Sequence, residues 1–497
     1  MTTDTKNSPP AGLTSRAAGP VTGPARGRWI EHWEPGDPAF WHGTGRRVAR
    51  RNLVWSIASE HLGFTIWTLW SVVAVELGDR HFTADQLFWL VALPSLVGAA
   101  LRVPYTFAPA RFGGRNWTVV STLLLLVPAV LLALAVDDPD APYWFFLLCA
   151  ATAGLGGGNF ASSMANITHF YPDSKQGVAL GLNAAGGNIG VSSVQLVVPL
   201  VIATLGVAAA GLFWVPLILL CATGALLRMD NLRGAASHPA EQLRVVKVPQ
   251  TWIVALLYVG TFGSFVGYAT ALPLLLTLEF PQSAALHHTF LGALAGSCAR
   301  PLGGMLADRW GGARVTHLNF TVMAAAAVGA WASIAAHRQP AFLLCFLLLF
   351  VTAGIGNGST YHMVPVIFRI RALRAAGHGT SADHRSALAA GRRSAAAALG
   401  IISAIGALGG FLINRAFGYS VGATGDAGAA MLTFTGFYVL CAAVTWWCYA
   451  RSGSAVARAR RAADVKESAS ARESASATES SSATEPARAQ EPAGADV

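Results

Sequence analysis

Arg102 and Arg300 are the residues of this chain best suited to chemistry, because each lies deep in an otherwise apolar stretch. An arginine near the bilayer centre costs roughly +2.5 to +3.5 kcal/mol on insertion scales. It therefore faces a cavity or a partner rather than lipid. Neither stretch offers an acid placed to neutralise it, so an anion is the natural partner. A guanidinium is a planar fork of donors that matches oxyanion geometry. A titratable pair, Glu60-His61, lies in the apolar stretch from Asn52 to Phe64. Ionisable residues in such a stretch mark function by default, and proton movement is the chemistry they offer.

The elements that must position these groups are membrane spans. The 497 residues are 53% hydrophobic and 12% charged, with mean hydropathy +0.47. That balance excludes an ordinary soluble protein. A span needs about 20 apolar residues. Segments of that kind are read at 53–76, 86–109, 117–136, 143–170, 176–204, 207–228, 250–278, 286–307, 315–336, 341–368, 393–414 and 428–450. The Pro/Gly-rich leader before Leu53 is not a cleavable signal peptide. All six cysteines fall in spans and read as free thiols.

The net charge of +10 is a topology signal rather than a nucleic-acid footprint. Arg46, Arg47, Arg50 and Arg51 precede the first span. Alternate connections carry Arg111 and Arg115, Lys175, Arg233 and Arg244, Arg309 and Arg314, and the group from Arg369 to Arg393. The opposite connections are poor in cations. The positive-inside rule then puts both termini in the cytoplasm, with an even number of spans. Residues 1–52 are expected to be a disordered cytoplasmic segment and 451–497 a disordered tail. The polar stretch 229–249 divides the spans into halves, 53–228 and 250–450.

The halves repeat each other. Arg102 is followed by Arg111-Phe112-Gly113-Gly114, and Arg300 by Arg309-Trp310-Gly311-Gly312 at the same spacing. Two spans later Thr152-Ala153-Gly154-Leu155-Gly156-Gly157-Gly158 matches Thr352-Ala353-Gly354-Ile355-Gly356-Asn357-Gly358. Ala179-Leu180-Gly181 is echoed by Ala398-Leu399-Gly400. A parallel repeat of six-helix halves with cytoplasmic termini describes an all-α membrane protein of major facilitator architecture, with twelve transmembrane helices. The arginines then occupy equivalent places on the second and eighth spans and meet across the central cavity, one from each half. The glycines Gly156, Gly157, Gly158, Gly187, Gly354, Gly356 and Gly358 allow close helix packing. They also provide smooth faces for sliding, or admit a small ligand to the backbone. A phosphate loop is a poor reading, because no Gly-Lys-Ser/Thr follows.

The run Gly158-Asn159-Phe160-Ala161-Ser162-Ser163-Met164-Ala165-Asn166-Ile167, with Ala179 to Asn183 and Gly187-Asn188-Ile189-Gly190, resembles the first nitrate signature of the NarK-type nitrate/nitrite transporters. Ala353 to Thr360 resembles the second signature. Leu101 to Tyr105 and Thr261 to Phe265 also fit, and the similarity runs from about Asn52 to Arg451. The resemblance implies that Arg102 and Arg300 bind the anion and that Tyr258 and Asn188 hydrogen-bond it. It further implies that Phe64, Phe160 and Phe262 sandwich it or line its pocket. Nitrate is flat and weakly hydrated, so ring faces and a guanidinium plane suit it.

The charge balance frames the mechanism. Two arginines facing one monoanion leave surplus positive charge, and an empty site leaves both unpaired. An exchanger follows, because such a carrier reorients only when loaded. Glu60 changes this if it titrates: ionised, it shields the arginines, and protonated, it favours anion entry. His61 is the alternative proton carrier. The bland reading is that Glu60 and His61 pair with each other or with a neighbouring helix. The expectation is nitrate and nitrite transport by alternating access in the inner membrane, by a monomer. Import by proton symport is favoured, and nitrate/nitrite antiport is the alternative. A non-transporting nitrate sensor and a carrier of larger anions are the competing classes. No cofactor, metal site, nucleic-acid partner or enzymatic activity is expected.

Overall fold

A stretch of twenty apolar residues has one stable backbone in a bilayer, the helix, because each amide must find its partner within the segment. The computed structural model describes residues 28–233, 244–281, 288–377 and 381–451. The leader before residue 28, most of the central connection (234–243) and the tail from 452 lie outside the described residues.

The long helices are α1 (Pro38–Gly78), α2 (Ala84–Phe112), α3 (Gly114–Asp137), α4 (Tyr143–Phe170), α5 (Ser174–Leu205), α6 (Ala209–Arg228), α7 (Pro249–Glu279), α9 (Gly312–Ala335), α10 (Gln339–Ala376), α11 (Ser386–Thr424) and α12 (Gly428–Ala450). These eleven are long and apolar enough to cross a membrane. Between α7 and α9 runs α8 (Thr289–Trp310), 22 residues long. It is long enough for a span, but Arg300, Pro301 and its glycines dilute its hydropathy. Its place is set by packing against α5 and α10.

The internal repeat reappears as matched packing. α2 lies against α4 and α8 against α10. The halves meet where α2 packs on α11 and α5 on α8. At the end of the molecule where α1 stops and α2 begins, Arg415 of α11 donates to Asp85 of α2 at 2.8 Å. Its guanidinium lies 4.1 Å from the centre of the Trp89 ring. Phe88 and Phe417 stack just inside, 6.2 Å apart. Deeper still, Gln195 of α5 donates to the Ala269 carbonyl of α7 at 2.5 Å. These contacts close that end between the halves.

The expected disordered segment before residue 53 is corrected for residues 28–52. Trp29–Ile30 pairs in parallel with Asn231–Leu232. Asp37 caps a helix that opens at Pro38. Trp33 packs edge-on against Phe40 and Phe170, and Trp41 lies tilted against Tyr171. Buried Asp230 receives Arg28 at 2.9 Å and also pairs with Arg51. The abundance of proline and glycine masked these anchors, and the partners of Arg28, Trp29 and Trp41 lie more than a hundred residues away.

Candidate functional site

Arg102 projects from the middle of α2 and is fully buried. Its Nε donates to the Gly157 carbonyl of α4 at 3.1 Å. Its Nη1 donates to the Ser403 carbonyl of α11 at 2.9 Å, across the boundary between the halves. Nη2 has no partner. Arg300, on α8, is 6% exposed. Its Nη2 donates to the Tyr258 hydroxyl at 3.4 Å, and Nη1 has no partner. Each guanidinium thus keeps one buried, unused NH₂ group. Buried donors are nearly always satisfied, so two such groups in one place call for an acceptor.

Aromatic rings surround both cations. The Arg102 guanidinium carbon is 4.7 Å from the Phe160 ring centre, 4.8 Å from Phe262 and 5.4 Å from Trp67. Arg300 lies 5.8 Å from the same Phe160 ring. Phe160 therefore stands between two arginines from opposite halves. Phe160 and Phe262 stack 6.1 Å apart, and Phe64 meets Phe160 edge-on at 6.2 Å. Tyr258 and Phe262 stack at 5.3 Å with their planes 8° apart. A π-turn at Val259–Gly263, directly after Tyr258, carries Phe262. Such turns inside α-helices cluster at functional sites because they re-aim side chains.

The signature glycines bring the helices together. Gly158 faces the Tyr105 ring, Gly354 the Gly296 backbone and Gly356 the Thr261 side chain; Gly156 lies against the backbone of Gly63. At Gly358 a Cβ would collide with the carbonyl of Arg300 itself and stand 2.7 Å from the Gly304 nitrogen. Backbone cannot give way there, so Gly358→Ala is expected to destabilise the protein by about 1–3 kcal/mol through overpacking. Thermal unfolding of the purified protein checks this. Gly181→Ala is the silent control, since nothing lies within 4 Å of a Cβ there.

Glu60 is fully buried on α1. Its Oε2 accepts from the Asn183 amide of α5 at 2.7 Å, while Oε1 has no partner. The same amide reaches the Ser163 hydroxyl at 2.6 Å. Gly187, against the Glu60 carboxyl, leaves it room. Glu60 also feels the charges of Arg300 and Arg102. His61 turns elsewhere, its Nδ1 meeting the Gly186 carbonyl at 3.1 Å. Of the structural reading, pairing of Glu60 with His61 is therefore corrected, while pairing of each with a neighbouring helix is what is seen. Adjacent helical residues point about 100° apart, and each here finds its own partner on α5.

Asn188 is fully buried on α5, with neither polar atom of its amide paired. Three neighbours escaped sequence reasoning. Tyr361 stands 5.5 Å from Tyr258, with Arg300 5.7 Å from its ring centre. Asn357 is as buried and unpaired as Asn188. Trp67 donates to the Pro94 carbonyl at 2.8 Å and backs Arg102. The signal for Tyr361 and Asn357 was their place within and just after the second glycine run.

Comparison with known proteins meets this geometry. Residues 61–382 match the Major Facilitator Superfamily. Over 448 residues the chain is 42% identical to the nitrate/nitrite transporter NarU of Escherichia coli (strain K12), covering 85% of this chain and 96% of that protein. The chain belongs to the nitrate/nitrite porters of the Major Facilitator Superfamily. This porter is also 34% identical to the probable nitrate/nitrite antiporter NarK2 of Thermus thermophilus, over 86% of this chain and 98% of the other. Among solved structures, a D-xylose-proton symporter shares the fold with a TM-score of 0.60, at 16% identity, over 80% of this chain and 97% of that one. The porter is a multi-pass membrane protein of a transporter family and not an enzyme.

Proposed function

We propose that the protein carries nitrate and nitrite across the cell's inner membrane by alternating access, with Arg102 and Arg300 clamping the anion. The observation that carries this reading is the pair of unpartnered NH₂ groups, one from each half, around the shared Phe160 ring. An anion between them would join the halves through itself. Phe160, Phe262 and Phe64 supply flat, weakly polar walls, and Tyr258 and Asn188 supply the remaining donors. The names of the relatives, nitrate/nitrite transporter and antiporter, agree with this substrate class.

Import of nitrate is coupled to protons through Glu60. A carboxylate that feels the charges of both arginines stands in for the anion when the site is empty, and gives way when protonated. Nitrate/nitrite antiport is the second reading, favoured by the surplus cation and by the name of the Thermus relative. The carrier is a monomer with cytoplasmic termini. With that orientation the Asp85–Arg415 end faces outward, and the described state is closed to that side.

Counterflow of labelled nitrate in proteoliposomes, with and without a pH gradient, tests the proposal. Exchange against internal nitrate or nitrite is expected, with net uptake when the interior is alkaline. Binding without flux would identify a sensor. Equal flux of formate or larger carboxylates would remove the planar-anion reading.

A further inference from the structure

Beside the start of the membrane-crossing part of α1 lies a surface cavity of about 540 Å³, at the end opposite the Asp85–Arg415 pair. His42, Arg46, Arg47 and Arg50 line it together with Val54 and Trp55. We infer that this cavity holds the phosphate headgroup of an anionic phospholipid from the adjoining leaflet.

The helix repeat puts residues 46, 47, 50, 51, 54 and 55 on one face of α1. Arg51 is engaged by Asp230. Arg46, Arg47 and Arg50 are exposed, and no acid among the described residues pairs with them. Three unengaged arginines around one concavity present converging forks, the arrangement that suits phosphate oxygens. One helical turn further along, about 6 Å, the same face becomes apolar. Val54 is 53% exposed there. Trp55 packs its ring into the space that Gly224 leaves on α6. The face thus passes from cations to apolar and aromatic side chains, as a phospholipid passes from its phosphate to the glycerol and acyl chains. Tryptophan favours that interfacial depth, and basic groups beside a span attract anionic lipid. A soluble anion would satisfy the arginines but would leave the Val54 and Trp55 side chains unused.

The test uses the full-length protein in detergent, titrated with phosphatidylglycerol, phosphatidylcholine or inorganic phosphate and read by native mass spectrometry and thermal unfolding. The wild type is expected to prefer phosphatidylglycerol to phosphatidylcholine. Arg46→Gln/Arg47→Gln/Arg50→Gln lowers that preference by roughly tenfold or more, as expected for three charges at a membrane surface. Arg46→Lys/Arg47→Lys/Arg50→Lys keeps part of it. Arg369→Gln/Arg371→Gln/Arg374→Gln removes three exposed cations from the end of α10 on the same side, and it is expected to leave the preference intact. Arg50→Gln alone, with a smaller loss in the same direction, serves if the triple variant is poorly folded. Equal losses in the α1 and α10 triple variants would mean diffuse charge attraction and overturn the site. Stabilisation by inorganic phosphate equal to that by phosphatidylglycerol would overturn the lipid assignment, as would an unchanged preference in the α1 variants.

Discussion

Arg102→Lys and Arg300→Lys are each expected to abolish nitrate counterflow, lowering it by about 100-fold or more while the protein remains in the membrane. An ammonium carries the same charge but a single nitrogen. Arg102 uses separate nitrogens for the Gly157 and Ser403 carbonyls and keeps a third free. Lysine has no rigid fork with which to reproduce that division. Loss of one partner from a buried, hydrogen-bonded charge pair costs about 2–5 kcal/mol, which is the source of the 100-fold figure. The variants should differ in stability. Arg102→Lys also loses the hydrogen bond from α2 to the Ser403 carbonyl of α11 and should lower thermal stability by about 1–2 kcal/mol. Arg300→Lys gives up a single long hydrogen bond, to Tyr258. Near wild-type exchange in either variant would remove that arginine from the clamp.

Glu60→Gln is the second large effect. Glutamine is a permanent copy of the protonated carboxyl, able to keep a bond to Asn183. In the wild type, raising the pH ionises Glu60, and its charge then competes with the incoming anion for Arg102 and Arg300. Nitrate affinity should therefore fall as pH rises. In the variant it should stay flat, because no charge appears. The coupling expected between two such sites is about 1–3 kcal/mol, or 5–150-fold in affinity. Nitrate/nitrite exchange should persist while uptake driven by a pH gradient falls to the level without one. His61→Ala is the control, since His61 bonds the Gly186 carbonyl and not Glu60. Loss of gradient-driven uptake in that variant alone would transfer the proton to His61. Unchanged gradient-driven uptake in both would leave antiport as the mechanism.

Much of this site could be read before any coordinates. Arg102 and Arg300 stood out because charge in an apolar run is costly and rare. Their equivalence followed from the spacing to Arg111 and Arg309. The family was legible in the glycine runs of α4, α5 and α10. The anchored segment 28–52 was not. Its order depends on Trp33 reaching Phe170 and Arg28 reaching Asp230, and no local pattern announces such distant partners. Tyr361 and Asn357 were passed over for a similar reason. A polar residue near a glycine run has no preferred direction until the helix is rotated into place.

What the sequence alone determined is periodic and additive: apolar length, charge asymmetry and a repeat that pairs one arginine with the other. Those features depend on composition and spacing along the chain. Only the tertiary structure decided which nitrogen of each guanidinium is already occupied. It also decided that both cations share the Phe160 ring, and that Glu60 faces Asn183 while His61 turns to a carbonyl. Hydrogen bonds and ring contacts act over a few ångströms, so they depend on helix rotation and depth. Packing of all the helices sets those together, through glycines such as Gly358 whose missing side chain lets another helix in.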